Sequence, residues 1–158
     1  MGKKYAVKAN SVSHLNDIFH KVIMDILKNN VSEEVKKRMI DAYQKYGYDV
    51  YKPRMYQRHY DNGGMTDPNN IEISNIENGV KIENITEHDN RRIAPIWEKG
   101  KEAWKPKHKP DHQVDDEPMG IWTKPRPVIQ NLYRDLMEDD TIRKEIIKGF
   151  KKFGLKVI

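Results

Sequence analysis

Cysteine is absent from all 158 residues. That excludes a disulfide framework and a thiolate metal site, and it points to synthesis in a reducing cytoplasm. Long apolar runs are missing as well, so no membrane-spanning helix and no membrane partner are expected. The basic residues Lys3 and Lys4 have no apolar stretch behind them, and no secretory signal is expected. Apolar residues are scarce at 37%, and charged ones abundant at 34%, against about 45–50% and about 25% in ordinary globular chains. The core must be small, with part of the chain extended, loop-like or ordered only in an assembly. The length fits a single domain over residues 1–158.

What the chain does have is charge of alternating sign. The net +5 divides into a basic segment 1–60, an acidic segment 61–90, a balanced segment 91–140 and a basic end 141–158. In 61–90 only Lys81 opposes Asp61, Asp67, Glu72, Glu77, Glu83, Glu87 and Asp89, and in 141–158 the only acid is Glu145. Nucleic-acid binding predicts a single basic stripe. Separate acidic and basic segments fit equally well with subunits that attract neighbours head to tail, and charge alone does not decide between the two.

Hydrophobic spacing predicts a helix over 11–30, with Val12, Leu15, Phe19, Val22 and Ile26 on its buried side, widened by Ile18, Ile23 and Leu27. Ser11 or Ser13 caps it, and Asn29-Asn30 ends it. A second helix is predicted from Ser32 as cap, burying Val35, Met39, Ala42, Tyr43 and Tyr46 and stopping at Gly47. From 48 to 90 turn residues and short alternating runs favour β structure. Ile71 and Ile73 pair with Val80 and Ile82 in a hairpin turned by Asn78-Gly79, the pair preferred in a type I′ turn. Asp61–Gly64 and Asp67–Asn70 are predicted loops. Pro106, Pro110, Pro118 and Pro125 mark a long loop or arm at about 101–125. Pro127 opens a helix to about Met137 that buries Ile129, Leu132, Tyr133 and Leu136. Asp139 or Asp140 caps a last helix from Thr141 to Phe153, packing Ile142, Ile146, Ile147 and Phe150. Leu155–Ile158 is a possible last strand. The fold class is α+β, with N-terminal helices, a small antiparallel sheet and C-terminal helices.

Chemistry finds little to stand on. There is no cysteine and no Gly-x-Ser-x-Gly elbow, and Asn62-Gly63-Gly64 lacks the Gly-Lys-Ser/Thr ending of a phosphate loop. The cluster His108, Asp111, His112, Asp115 and Asp116 has metal-ligand chemistry, but it lies in a Pro/Lys-rich loop without a scaffold or second shell. A solvated loop explains the same residues. His14, His20, His59 and His88 form no constellation and read as surface residues. Tyr43, Tyr46, Tyr48, Tyr51, Tyr56 and Tyr60 with Arg54, Arg58 and His59 mix aromatic and cationic side chains. Such a run can hold a single strand of nucleic acid, but it is also what protein interfaces enrich. No catalytic, cofactor-binding or metal site is expected, and no enzyme activity.

The segments Asn84-Ile85-Thr86, Ala94-Pro95-Ile96-Trp97-Glu98-Lys99-Gly100 and Pro125-Arg126-Pro127-Val128-Ile129 together resemble the tail-component family of tailed phages, the tail-completion or neck proteins. Upstream, Tyr56-Gln57-Arg58-His59-Tyr60-Asp61-Asn62-Gly63-Gly64 is similar to a Tyr-x-Arg-x-Tyr…Gly-Gly strand of firmicute-type members. The likeness covers about residues 50–158. It departs in a longer loop at 101–124 and in Lys101, where threonine is common after the glycine.

The resemblance implies a small α+β virion protein of the head-to-tail connection. Such a protein forms a homo-oligomeric ring, commonly a hexamer, made in the host cytoplasm and built into the virion. Its partners would be copies of itself and neighbouring neck, connector or tail-tube proteins, with phage DNA passing the lumen without specific binding. The candidate interface residues are Tyr56, Arg58, Trp97, Glu98, Trp104, Trp122, Arg126, Lys148, Lys151 and Lys152. Of the tryptophans, Trp97 is the one expected to be core. Glu98-Lys99-Gly100 reads as a turn ending a strand, with a positive φ at Gly100. Two other functions remain open on the residues alone. One is a basic nucleic-acid-binding accessory protein, from the Tyr/Arg run and the basic end. The other is a metal-dependent hydrolase using His108, His112 and an aspartate.

Overall fold

A computed structural model describes residues 8–50, 62–88, 90–100 and 125–155. The elements are α1 (Val12–Ile26), a π-helical turn (Leu27–Val31), α2 (Ser32–Ala42), a second π-helical turn (Tyr43–Tyr48), a 3₁₀ turn (Pro68–Asn70), β1 (Ile71–Ile76), β2 (Gly79–Asn84), β3 (Glu87–His88), β4 (Arg91–Arg92), α3 (Ile93–Lys99), α4 (Val128–Glu138) and α5 (Thr141–Lys152). The class is α+β, with helices toward both ends and small two-stranded sheets between them. The chain divides into two compact units. The first takes Met1–Lys37, Glu72–Glu83 and Asp135–Ile158, and the second Arg38–Ile71 and Asn84–Arg134.

In the first unit α1 begins where expected. The Ser11 hydroxyl accepts the His14 N–H at 3.1 Å, satisfying one of the first-turn donors. Asn29-Asn30 does not end the helix. Helical backbone continues through both π turns, and Ser32 has αR dihedrals. Its hydroxyl donates back to the Leu27 carbonyl at 2.6 Å, so it bonds within the helix and caps nothing. The burial expected for the α1 stripe is met at Ile26, but Val12, Leu15, Phe19 and Ile23 are exposed. α5 supplies the cover at Ile26. A Cβ on Gly149 would lie 2.5 Å from the Ile26 Cγ2, so the glycine is what lets the two helices approach.

β1 and β2 form the expected hairpin, but its turn is Glu77-Asn78, and Gly79 opens the second strand. Neither Asn78 nor Gly79 has a positive φ, which a type I′ turn centred on that pair would require. Between α4 and α5 the chain turns on Asp139-Asp140, with Asp140 left-handed at φ 59. The Asp139 carboxylate accepts both the N–H and the hydroxyl of Thr141, so of the two aspartates it is Asp139 that caps α5. At the other end of α5, Gly154 at φ 77 lets its own N–H reach the Lys151 carbonyl and the Leu155 N–H reach that of Phe150, a Schellman closure. The possible last strand lies beyond Leu155, outside the described residues.

The second unit is organised around Trp97. Gly47 does not stop the second helix. It lies inside the π turn with the Trp97 ring packed where its Cβ would be. The segment 93–99 is helix α3, which corrects the strand-ending turn expected at Glu98-Lys99-Gly100. Pro95 is tolerated because it falls in the first turn, where its missing N–H would have no helical acceptor. Gly100 ends α3 with the expected positive φ. The loop 62–70 is held by side chains. Tyr48 Oη accepts the Met65 N–H at 3.0 Å, Asn84 Nδ2 donates to the Met65 carbonyl at 2.7 Å, and Thr86 Oγ1 donates to the Gly64 carbonyl at 3.2 Å. Asp67 accepts the N–H groups of Gly63 and Asn69.

Candidate functional site

Three of the expected interface residues meet in the second unit. Tyr43 and Tyr48 present edges to Trp97 at ring-centre distances of 6.0 and 5.1 Å, and the Arg126 guanidinium lies 4.8 Å from the ring. The Arg126 N–H donates to the Trp97 carbonyl. Trp97 and Arg126 are both buried, so within this chain they pack the unit together, an aromatic–cation stack strengthened by exclusion of water.

Glu98, the next residue, reaches the start of α4. Its carboxylate accepts the Ile129 N–H at 2.7 Å, a negative charge on the positive end of a helix dipole. Burial pushes the Glu98 carboxyl above its ordinary range, and its hydrogen bonds with the Ile129 and Val128 N–H groups pull it back. Burial first, and the Glu98 charge second, hold the Tyr43 phenol protonated well beyond the usual tyrosine range. Nothing in this arrangement pairs a nucleophile with a base. It is a scaffold.

Open surfaces lie on α5, α1 and α4. Lys148, Lys151 and Lys152, all expected interface residues, join Lys144 around Ile147 at a shallow depression of about 540 Å³. Beside it Leu136, Met137, Ile142, Ile146, Ile147 and Phe150 line an apolar groove of about 490 Å³, with Asp140 and Arg143 also on its lining. Ile142, Ile146, Ile147 and Phe150, expected to be packed, are therefore only half-buried. α1 shows a row of apolar side chains to solvent: Val12, Leu15, Phe19 and Ile23 are 75%, 41%, 42% and 43% exposed. On α4 the buried row is Val128, Leu132 and Leu136. Ile129 and Tyr133, expected inside, are exposed in a second row with Met137. These rows were missed because periodicity reports that a face is apolar and says nothing about what covers it.

Tyr56, Arg58, Trp104 and Trp122 lie outside the described residues, as do His108, Asp111, His112, Asp115, Asp116 and most of the Tyr/Arg run. Among the described residues no group of three or more histidine, aspartate or glutamate side chains is placed to hold a metal ion, and no helix is long and apolar enough to cross a membrane.

The sequence profile of the family described as YomN matches residues 11–152, nearly the whole chain. The chain belongs to the YomN family. YomN is a phage-associated family, which makes this a phage-associated protein at that level. The YomN match begins at the Ser11 cap of α1 and ends with the last residue of α5. The family match thus takes in the Trp97 scaffold, the lysine depression and both exposed apolar rows. No curated protein and no solved structure matches the chain.

Proposed function

We propose that this YomN-family chain is a structural subunit of the phage particle, a tail-completion or head-to-tail joining protein that works by assembling with copies of itself into a ring. The observation that carries this reading is the uncovered apolar row of α1. Soluble proteins rarely leave contiguous apolar surface in water unless a partner covers it. Beside that row α1 carries Asp17 and Asp25 against Lys21, with Lys28 following in the π-helical turn. A helix so balanced has no attraction for phosphates or anionic lipid. Its natural cover is protein.

Phage association of the family supports the setting. The resemblance to tail-completion proteins, with its quoted Asn84-x-Thr86 and Trp97-Glu98 motifs, supports the position. Those motif residues stabilise the fold here: Asn84 and Thr86 hold the Gly64–Met65 loop, and Trp97 and Glu98 tie α3 to the start of α4. A six-membered ring in the virion, in contact with neck, connector or tail-tube proteins and passing DNA without specific binding, follows from that likeness. No catalytic turnover is required of such a part.

Deleting the gene from the phage and imaging the lysate tests this. DNA-filled heads lying apart from free tails are expected, and native mass spectrometry of the purified chain is expected to show closed oligomers. Intact, infectious particles from the deletion would sink the proposal.

A further inference from the structure

The two oppositely charged segments end in surfaces of complementary make-up. On α5, Lys144, Lys148, Lys151 and Lys152 rim a depression to which Ile147 contributes apolar surface. On the β1–β2 hairpin, Ile76 is 54% exposed beside the turn residues Glu77 and Asn78. Glu72 and Glu77 are also exposed. The hairpin's single lysine, Lys81, already pairs with Glu83 at 2.8 Å, which leaves the hairpin acidic. A bare isoleucine with a carboxylate next to it lacks an apolar seat with a cationic rim. α5 offers that seat.

Resting on the assembly reading above, we propose that the hairpin tip Ile76–Glu77 of one copy docks into the lysine-rimmed depression of α5 on a second copy. Ile76 packs on Ile147 while Glu77 meets the ammonium groups of Lys151, Lys152 and Lys148, the last of which also pairs with Glu145 of its own helix at 3.1 Å. A polyanion such as nucleic acid would use the rim but leave both isoleucines in water, so the hairpin of another copy is the better fit. Because tip and seat are different patches, the contact is heterologous. Each copy gives its tip to one neighbour and its seat to the other, the arrangement that closes rings when the rotation allows. Rim charges of this kind set encounter rate and register and are screened by salt.

A charge swap tests it, with the full chain studied by sedimentation and circular dichroism confirming that each variant folds. Glu77→Lys alone and Lys148→Glu alone are each expected to weaken association on the order of tenfold. Glu77→Lys and Lys148→Glu mixed or combined should restore it, and Ile76→Ser should weaken it with no change in salt dependence. If the unaltered chain associates but single charge reversals leave it unchanged, or the swap fails to restore it, the docking assignment is overturned while the assembly reading stands. An unaltered chain that stays monomeric at every concentration overturns both. Binding of random duplex DNA that Lys148→Glu abolishes, with association untouched, overturns the docking assignment and gives the lysines to nucleic acid.

Discussion

Trp97 is gripped by two tyrosine edges and the Arg126 guanidinium, with Gly47 leaving room for its ring. Trp97→Ala removes the centre of these contacts and is expected to cost about 3–5 kcal/mol of stability, measured by urea unfolding. Gly47→Ala places a methyl group into the ring. Alanine's better helix propensity, about 1 kcal/mol, is outweighed by an overpacking cost of about 1–3 kcal/mol, and the clash disappears if Trp97 is also truncated. Glu98 gives a pH prediction. Its carboxyl is raised in the folded chain, so the folded state binds its proton more tightly than the unfolded chain does. Its contribution is then complete below the unfolded carboxyl range and is lost as pH rises through the folded value. Comparing the wild type with Glu98→Gln over about pH 4 to 7, the wild type's relative stability should decline as pH increases. A flat difference would show that burial does not act on this carboxyl.

At the scale of elements, α1 is where the proposed assembly can be tested apart from stability. Leu15 and Phe19 are exposed, so Leu15→Glu and Phe19→Glu are expected to change unfolding free energy by no more than about 0.5 kcal/mol while abolishing association in sedimentation. Gly149→Ala is the converse. Its methyl group would press on Ile26 and is expected to cost about 1–3 kcal/mol, partly recovered when Ile26 is shortened to alanine.

The helices and the hairpin were legible because caps, spacing and alternation are local signals. α1 starts at its serine cap, α4 starts one residue after Pro127, and β1 and β2 follow their isoleucines. What was not legible depended on distance or on competition between local options. Asn29-Asn30 looks like a stop, yet π-helical turns absorb it. α3 is short and carries Pro95, which hides it. The bond between Glu98 and Ile129 spans residues far apart in sequence, and one sequence has no means of joining them. Of the candidate site, Trp97, Glu98 and Arg126 were named among the interface candidates; within the chain Arg126 stacks on Trp97 and Glu98 reaches Ile129. The α5 lysines lie at a surface depression, and the exposed Ile76 beside the turn was not singled out at all.

At the scale of the whole molecule, the proposed attraction between copies would draw on separate acidic and basic segments within the net +5. Exposed pairs weaken as the screening length shortens from about 10 Å at 0.1 M salt to about 3 Å at 1 M. Association measured across that range should fall with salt but not vanish, because the apolar rows of α1 and α4 do not respond to screening and are strengthened by kosmotropic salts. Complete loss in sulfate would mean that the apolar rows contribute nothing.

The two clasps flanking the 101–124 segment, Trp97 to Arg126 and Glu98 to Ile129, join its ends on either side. The end of α3 and the start of α4 are therefore held to each other by their own residues, and breaking either clasp should loosen both ends together.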